Sequence, residues 1–204
     1  MTQWVENPTG GRDRGPAAIA RAWAEVLVRP RRFFTAAVAP GDQAPGMVFA
    51  SLVAVVYVGA RFALVPATRP DLAGRPVLSM VLALALVALA LAPLALHFAA
   101  ALCTLALRFV VADRAGVSET VQVIAYASAP CVFAAVPHPA VRLACALYAS
   151  GLLVVGLAVV HRTSLARAAL AGVLPALLVF GYGFGGVFAF EALSGVVVTG
   201  SAGA

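Results

Sequence analysis

PVLSMVLALALVALALAPLALHFAAALCTLAL, from Pro76 to Leu107, runs 32 residues without one charged side chain. In water such a segment has nowhere to go. In lipid, a helix of about 20 apolar residues is enough to cross the hydrocarbon core. Four further charge-free intervals repeat the pattern: Gln43–Ala60 (18 residues), Thr120–Val141 (22), Leu143–His161 (19) and Ala168–Phe190 (23). Hydrophobic residues make up 63% of the chain and charged residues 11%, with a mean hydropathy of +1.00. A soluble domain carries about 25% charged residues. This chain lacks the polar side chains to coat a water-facing surface, so its apolar surface faces lipid. The fold class is all-α: a polytopic membrane bundle of five transmembrane helices with an N-terminal interfacial amphipathic helix.

The 32-residue run is the second span. As one helix over about 77–111 it would be about 50 Å long at 1.5 Å per residue, against a core of about 30 Å. Two crossings would need about 40 residues plus a turn. One long, tilted helix is therefore expected, with Pro93 able to kink it. The other spans fall at about 47–65, 118–136, 140–160 and 167–193, within a membrane domain at 47–194. Residues 1–16 and 195–204 read as a flexible and a frayed tail. No short apolar core follows Met1, so the first span is expected to serve as an uncleaved insertion signal.

Between the N-terminal tail and the first span lies an amphipathic segment, 17–39. Ile19, Trp23, Val26 and Leu27 share one helical face, while Arg21, Glu25 and Arg29 line another. Pro30 breaks the helix, and Arg31, Arg32, Phe33 and Phe34 follow. Cations beside aromatics suit the headgroup boundary, rings inserted and guanidiniums outward. Trp23, Arg29, Arg31, Arg32, Phe33 and Phe34 are therefore the expected membrane-surface contacts. The competing reading packs this helix on the protein's own loops.

All 14 basic residues are arginine, and the net charge is +6. With five spans, ten arginines fall on the N-terminal side and four on the other. The positive-inside rule then places the N-terminus in the cytoplasm and the C-terminus outside. Six of the ten precede residue 33, beside the first span, so the basic charge points to anionic lipid rather than nucleic acid.

Little in the sequence suggests chemistry. His97 sits mid-span, where a histidine is either a proton relay or, the favoured reading, a hydrogen-bond partner for a neighbouring helix. Glu191 is expected to pair with Arg61 or Arg142 or to reach the headgroups. Gly181 and Gly185 form a G-x-x-x-G that lets a helix approach closely, within the chain rather than in a dimer. Cys103, Cys131 and Cys145 lie in apolar runs without paired spacing, so neither a disulfide framework nor a metal site is expected. There is no P-loop, no G-x-S-x-G and no H-E-x-x-H. No cofactor and no catalytic residue is expected.

Gly116 to Pro130 (GVSETVQVIAYASAP) resembles the signature of the Yip family of multi-pass membrane proteins, with Tyr126 and Pro130 four residues apart. Pro30-Arg31-Arg32-Phe33-Phe34 is similar to the basic-aromatic stretch of prokaryotic members, and His161 to Ala169 resembles their loop into the last span. The resemblance covers about residues 17–193 and looks most like the archaeal branch. It implies five spans, a cytoplasmic N-terminus and a prokaryotic cell membrane. Eukaryotic members bind Rab GTPases, but the acidic Asp-Leu-Tyr-Gly-Pro motif they carry is missing here, so Rab binding is not carried over. At the Pro130 kink, Tyr126 or Ser128 would satisfy nearby backbone groups.

The favoured function is a non-enzymatic membrane organiser or adaptor. Its partners would be anionic lipids or membrane proteins, bound on the cytoplasmic face. The rival is a small transporter or channel with a mid-membrane polar site at His97, Tyr126 and Ser128.

Overall fold

The computed structural model describes residues 15–195; residues 1–14 and 196–204, and with them the expected tails, lie outside the described residues. Five helices are long and apolar enough to cross a membrane: Ala44–Leu64, Pro76–Val110, Val117–Ala135, Pro139–Val160 and Leu165–Gly183. These are the first to fifth spans. Two short helices precede them, α1 (Pro16–Val28) and α2 (Pro30–Ala37), and one follows, Gly186–Ser194. Among the described residues there is no strand. Proline occupies the first position of α1, α2, the second span and the fourth, where its missing N–H costs no intrahelical bond.

The second span is one continuous 35-residue helix. Pro93 does not break it. Its missing N–H is accommodated just upstream by a π-helical turn, Val87–Leu91, in which the Ala92 N–H reaches back to the Val87 carbonyl. Ser51 of the first span donates its hydroxyl to the Ala88 carbonyl in that turn at 3.1 Å. An irregular stretch of backbone inside the spanning region thus finds a partner within the protein.

The third span is the axis of the bundle. In its most apolar stretch 72% of residues are buried, against 6% in the second span. The first, second and fourth spans pack around it, and α1 joins them. Its helix runs only to Ala127 and tightens into a 3₁₀ segment, Ala129–Ala135, because Pro130 has no N–H to give the Tyr126 carbonyl. Ser128 Oγ donates to the Ala125 carbonyl at 2.6 Å.

The break expected at Pro30 is present: the segment forms two helices, parted at Arg29–Pro30, and both pack on the protein. The headgroup contacts expected of its aromatics need correction. Phe33 and Phe34 are 1% exposed, so they do not reach the headgroup boundary. Phe33 meets the Tyr126 ring edge-on, with centroids 4.9 Å apart, and Trp23 Nε1 donates to the Ala129 carbonyl at 2.9 Å. The physical reason is complementarity. The third span is the least apolar of the five, with a mean hydropathy of 1.2, and its kink exposes a carbonyl that lipid cannot satisfy but an indole can.

The fifth span is also not continuous to residue 193. Its last part, Leu177–Gly183, is π-helical, and Gly185 turns the chain in the left-handed region at φ 79°. Gly181 and Gly185 are therefore parts of a helix–turn–helix and not of one smooth face. A Cβ on Gly186 would lie 2.6 Å from Ala146 Cβ, so the terminal helix sits tightly on the fourth span of the same chain.

Candidate functional site

The arginines and the charged loops meet at one end of the bundle. In α2 the side chains at 33, 34 and 37 turn inward, while Arg31, Arg32 and Thr35 are exposed, as a 3.6-residue period requires. Arg29, between the two helices, is exposed as well. Beside α2 lie the loop between the second and third spans and the loop between the fourth and fifth. Together they enclose a surface cavity of about 470 Å³, lined among others by Thr35, Asp113, Arg114, Glu119, Val160 and Arg162. Two guanidiniums and two carboxylates share it. Glu119 lies in the first turn of the third span, where a carboxylate complements the helix dipole. Arg162 adopts φ 48°, a left-handed conformation that costs a non-glycine residue about 1–2 kcal/mol.

His161 fastens this end together. It is 1% exposed and caps the fourth span from just outside it. The Ala115 N–H donates to Nδ1 at 3.1 Å, so Nδ1 carries a lone pair and the ring proton sits on Nε2. Nε2 faces Thr120 Oγ1 at 3.2 Å, and Thr120 donates onward to the Gly116 carbonyl at 3.1 Å. One neutral imidazole thus ties both loops to the third span. Burial, and then the positive Arg114, lower its pKa to about 4.

The sign of the consequence is definite. The unfolded chain protonates this ring near pH 6.5, whereas the folded chain resists until about 4. Stability from this group is present above pH 6.5 and is lost as pH falls from there through 4. Thermal unfolding in detergent should show a lower midpoint at pH 4.5 than at pH 7.5, by an amount on the order of 2–3 kcal/mol. His161→Gln should flatten that part of the profile. A profile identical in the variant would remove His161 as its source.

Gln122 closes the site from beneath. Its Nε2 donates to the Ala39 carbonyl at 2.7 Å and its Oε1 accepts from the Ala39 N–H at 3.1 Å. One amide therefore holds the linker between α2 and the first span. Neither Gln122 nor His161 is a sequence-level candidate. The signal was present for Gln122: an amide inside an apolar span must find a partner.

The intramembrane candidates do not converge. His97 Nδ1 donates to the Pro93 carbonyl at 2.8 Å, on its own helix and not a neighbour's. The Tyr126 ring is enclosed by Phe33 and Phe49. Pro130 is buried at the kink. Glu191 lies partly exposed on the terminal helix and, among the described residues, pairs with neither Arg61 nor Arg142; Arg142 Nε donates to the Ala134 carbonyl at 3.3 Å. Cys103, Cys131 and Cys145 are buried free thiols, and among the described residues no three His, Cys, Asp or Glu side chains gather as metal ligands.

A family model, the Yip1 domain, matches residues 24–187. The chain belongs to the Yip family. No curated protein and no solved structure matches it. The match opens inside α1 and closes at the start of the terminal helix, so this Yip domain takes in α2 and all five spans. The buried Phe33, Phe34 and Tyr126 are therefore internal to the domain. α2 is part of the Yip bundle and not an appendage to it.

Proposed function

We propose that this Yip protein is a non-enzymatic membrane organiser, working through its arginine-bearing face against anionic lipid headgroups or membrane-protein partners. The supporting observation is the convergence of α2 with the 111–117 and 161–164 loops around one surface cavity, with Arg114 and Arg162 in its lining and Arg31 exposed on α2. The ten-to-four division of arginines supports a cytoplasmic placement of that face. The transporter reading has less support. Tyr126 is walled in by aromatic rings, and His97 is committed to its own helix.

Each arginine near an anionic surface contributes about 1 kcal/mol, falling with salt. The test is capture of vesicles by the full chain held in nanodiscs of neutral lipid. Wild type should capture phosphatidylglycerol vesicles in preference to phosphatidylcholine vesicles. The quadruple replacement of Arg31, Arg32, Arg114 and Arg162 by Ser should weaken capture by at least about 10-fold at low salt. Equal capture of both vesicle types by wild type would sink the electrostatic reading. The isolated 1–40 segment is not a suitable probe, because α1 packs on the third span and α2 on the fourth.

A further inference from the structure

Midway along the bundle a second cavity opens between the first, second, third and fifth spans. It also measures about 470 Å³, within the range of about 300–1,000 Å³ typical of small-molecule sites. Ala54, Val87, Ala95, Ile124, Leu178 and Phe184 are among the residues lining it. Its polar side chains are Tyr57 and Ser128, and the Ser128 hydroxyl is already bonded to Ala125.

Three observations say what it holds. First, both π-helical stretches border it. Val87 and Leu91 come from the one in the second span, and Leu178, Val179 and Gly183 from the one in the fifth. Such turns are rare and occur disproportionately at functional sites. Two of them, in different spans, widen the walls of the same cavity.

Second, the length fits. The lining runs from Ala50 to Val58 on the first span and from Val87 to Phe98 on the second. At 1.5 Å per residue those are about 12 and about 16 Å. One leaflet of a hydrocarbon core of about 30 Å is about 15 Å deep.

Third, one end carries positive charge. Tyr57 packs edge-on against Phe184, with centroids 5.0 Å apart, and Arg61 follows one turn later on the same helical face. The Arg142 stem lies over Gly185, where a Cβ would come within 3.0 Å of Arg142 Cδ. Among the described residues no carboxylate pairs with Arg61 or Arg142.

We propose that this cavity is a binding site for one anionic glycerophospholipid. Its acyl chain lies along the π-helical walls, and its phosphate sits at Arg61, Arg142 and Tyr57. An apolar cleft in a bilayer fills with hydrocarbon whatever the headgroup. Arg61, one turn beyond Tyr57, and Arg142, over Gly185 beside Phe184, are what select an anion, because a guanidinium near the hydrocarbon boundary without a carboxylate partner favours a phosphate. The site shares no lining residue with the cavity beside Arg114 and Arg162 and does not rest on the function proposed for that face.

The test is native mass spectrometry of the detergent-purified full chain with phosphatidylglycerol or phosphatidylcholine added at equal concentration. Wild type should retain phosphatidylglycerol roughly 5- to 25-fold better. Arg61→Gln with Arg142→Gln should lower that ratio, and the same pair made in the Arg31/Arg32/Arg114/Arg162 variant should bring it to about one. Ala54→Phe and, separately, Ala95→Phe should fill the cleft and reduce retention of both lipids, with each variant's thermal midpoint checked against wild type. Equal retention of the two headgroups by wild type overturns the site. So does undiminished phosphatidylglycerol binding in both folded Phe variants. A lipid-free dimer that the Phe variants abolish also overturns it, because a second copy of the chain would then be the occupant.

Discussion

Phe33→Ala should lower the stability of the whole bundle by about 3–5 kcal/mol, the usual cost of removing a buried phenyl ring. For a chain of this size that is a fall of roughly 10 °C in the thermal midpoint. The ring is 1% exposed and packs on Phe34 and Tyr126, with centroids at 5.7 and 4.9 Å. It therefore joins the N-terminal helices to the central span. Replacing the neighbouring Arg31 and Arg32 by Ser should move the midpoint by no more than about 0.5 kcal/mol, since both side chains are exposed. The two readings of this stretch separate cleanly in a thermal melt in detergent. A headgroup-inserting Phe33 would give an alanine variant of normal stability and reduced vesicle affinity. A packed Phe33 gives the reverse.

Gly156→Leu should have the other large effect. A Cβ at this position would lie 2.7 Å from Val123 Cγ1, with the Phe34 ring atoms Cζ and Cε1 at 2.9 and 3.0 Å. Three elements meet here: the fourth span, the third span and α2. None can retreat without uncovering the central helix. Overpacking of this kind typically costs about 1–3 kcal/mol, and a leucine forced into a three-way contact belongs at or above the top of that range. The expected result is a poor yield of monodisperse protein, with Gly156→Ala intermediate. Gly151 supplies the control. It lies on the same span with nothing within 4 Å of its Cβ position, so Gly151→Leu should behave as wild type. If the two leucine variants were equally stable, the close approach of the fourth span to the third would be wrong.

The spans could be read without structure because lipid imposes a length and a polarity on any helix that crosses it. That logic handled even the 35-residue second span. Its unusual length follows from one uninterrupted apolar run, and Pro93 was visible as the place where the backbone had to adjust. The same logic could not say which span is central. In a membrane the lipid is as apolar as a protein core, so a helix buried in protein and one facing lipid carry similar side chains. The surviving clue was faint. The third span has the lowest mean hydropathy of the five and carries Thr120, Gln122 and Ser128, each now buried and bonded inside the protein.

The charged end divides in the same way. Arg31, Arg32, Arg114 and Arg162 were readable as one face, because arginine counting alone sorts the loops to one side. His161 was not, because in sequence it is one residue of a polar loop. Its importance comes from Ala115 and Thr120, 46 and 41 residues away, which only the folded chain brings to its two nitrogens. For the aromatics of α2, sequence pattern pointed the wrong way. Arg-Arg-Phe-Phe presents the same amphipathic face to a headgroup layer as to a protein groove.

By itself the sequence determined that this chain crosses a membrane five times, which loops carry the arginines, and that it resembles the Yip family. Those properties depend on solvent and on local period, and each residue contributes to them independently of its distant neighbours. Only the tertiary structure decided that the third span is the axis, that Phe33 and Phe34 turn inward to cover it, and that two π-helical turns share one cavity. Those outcomes depend on which apolar surfaces fit each other. Fit is a property of pairs of surfaces, and no single stretch of sequence contains it.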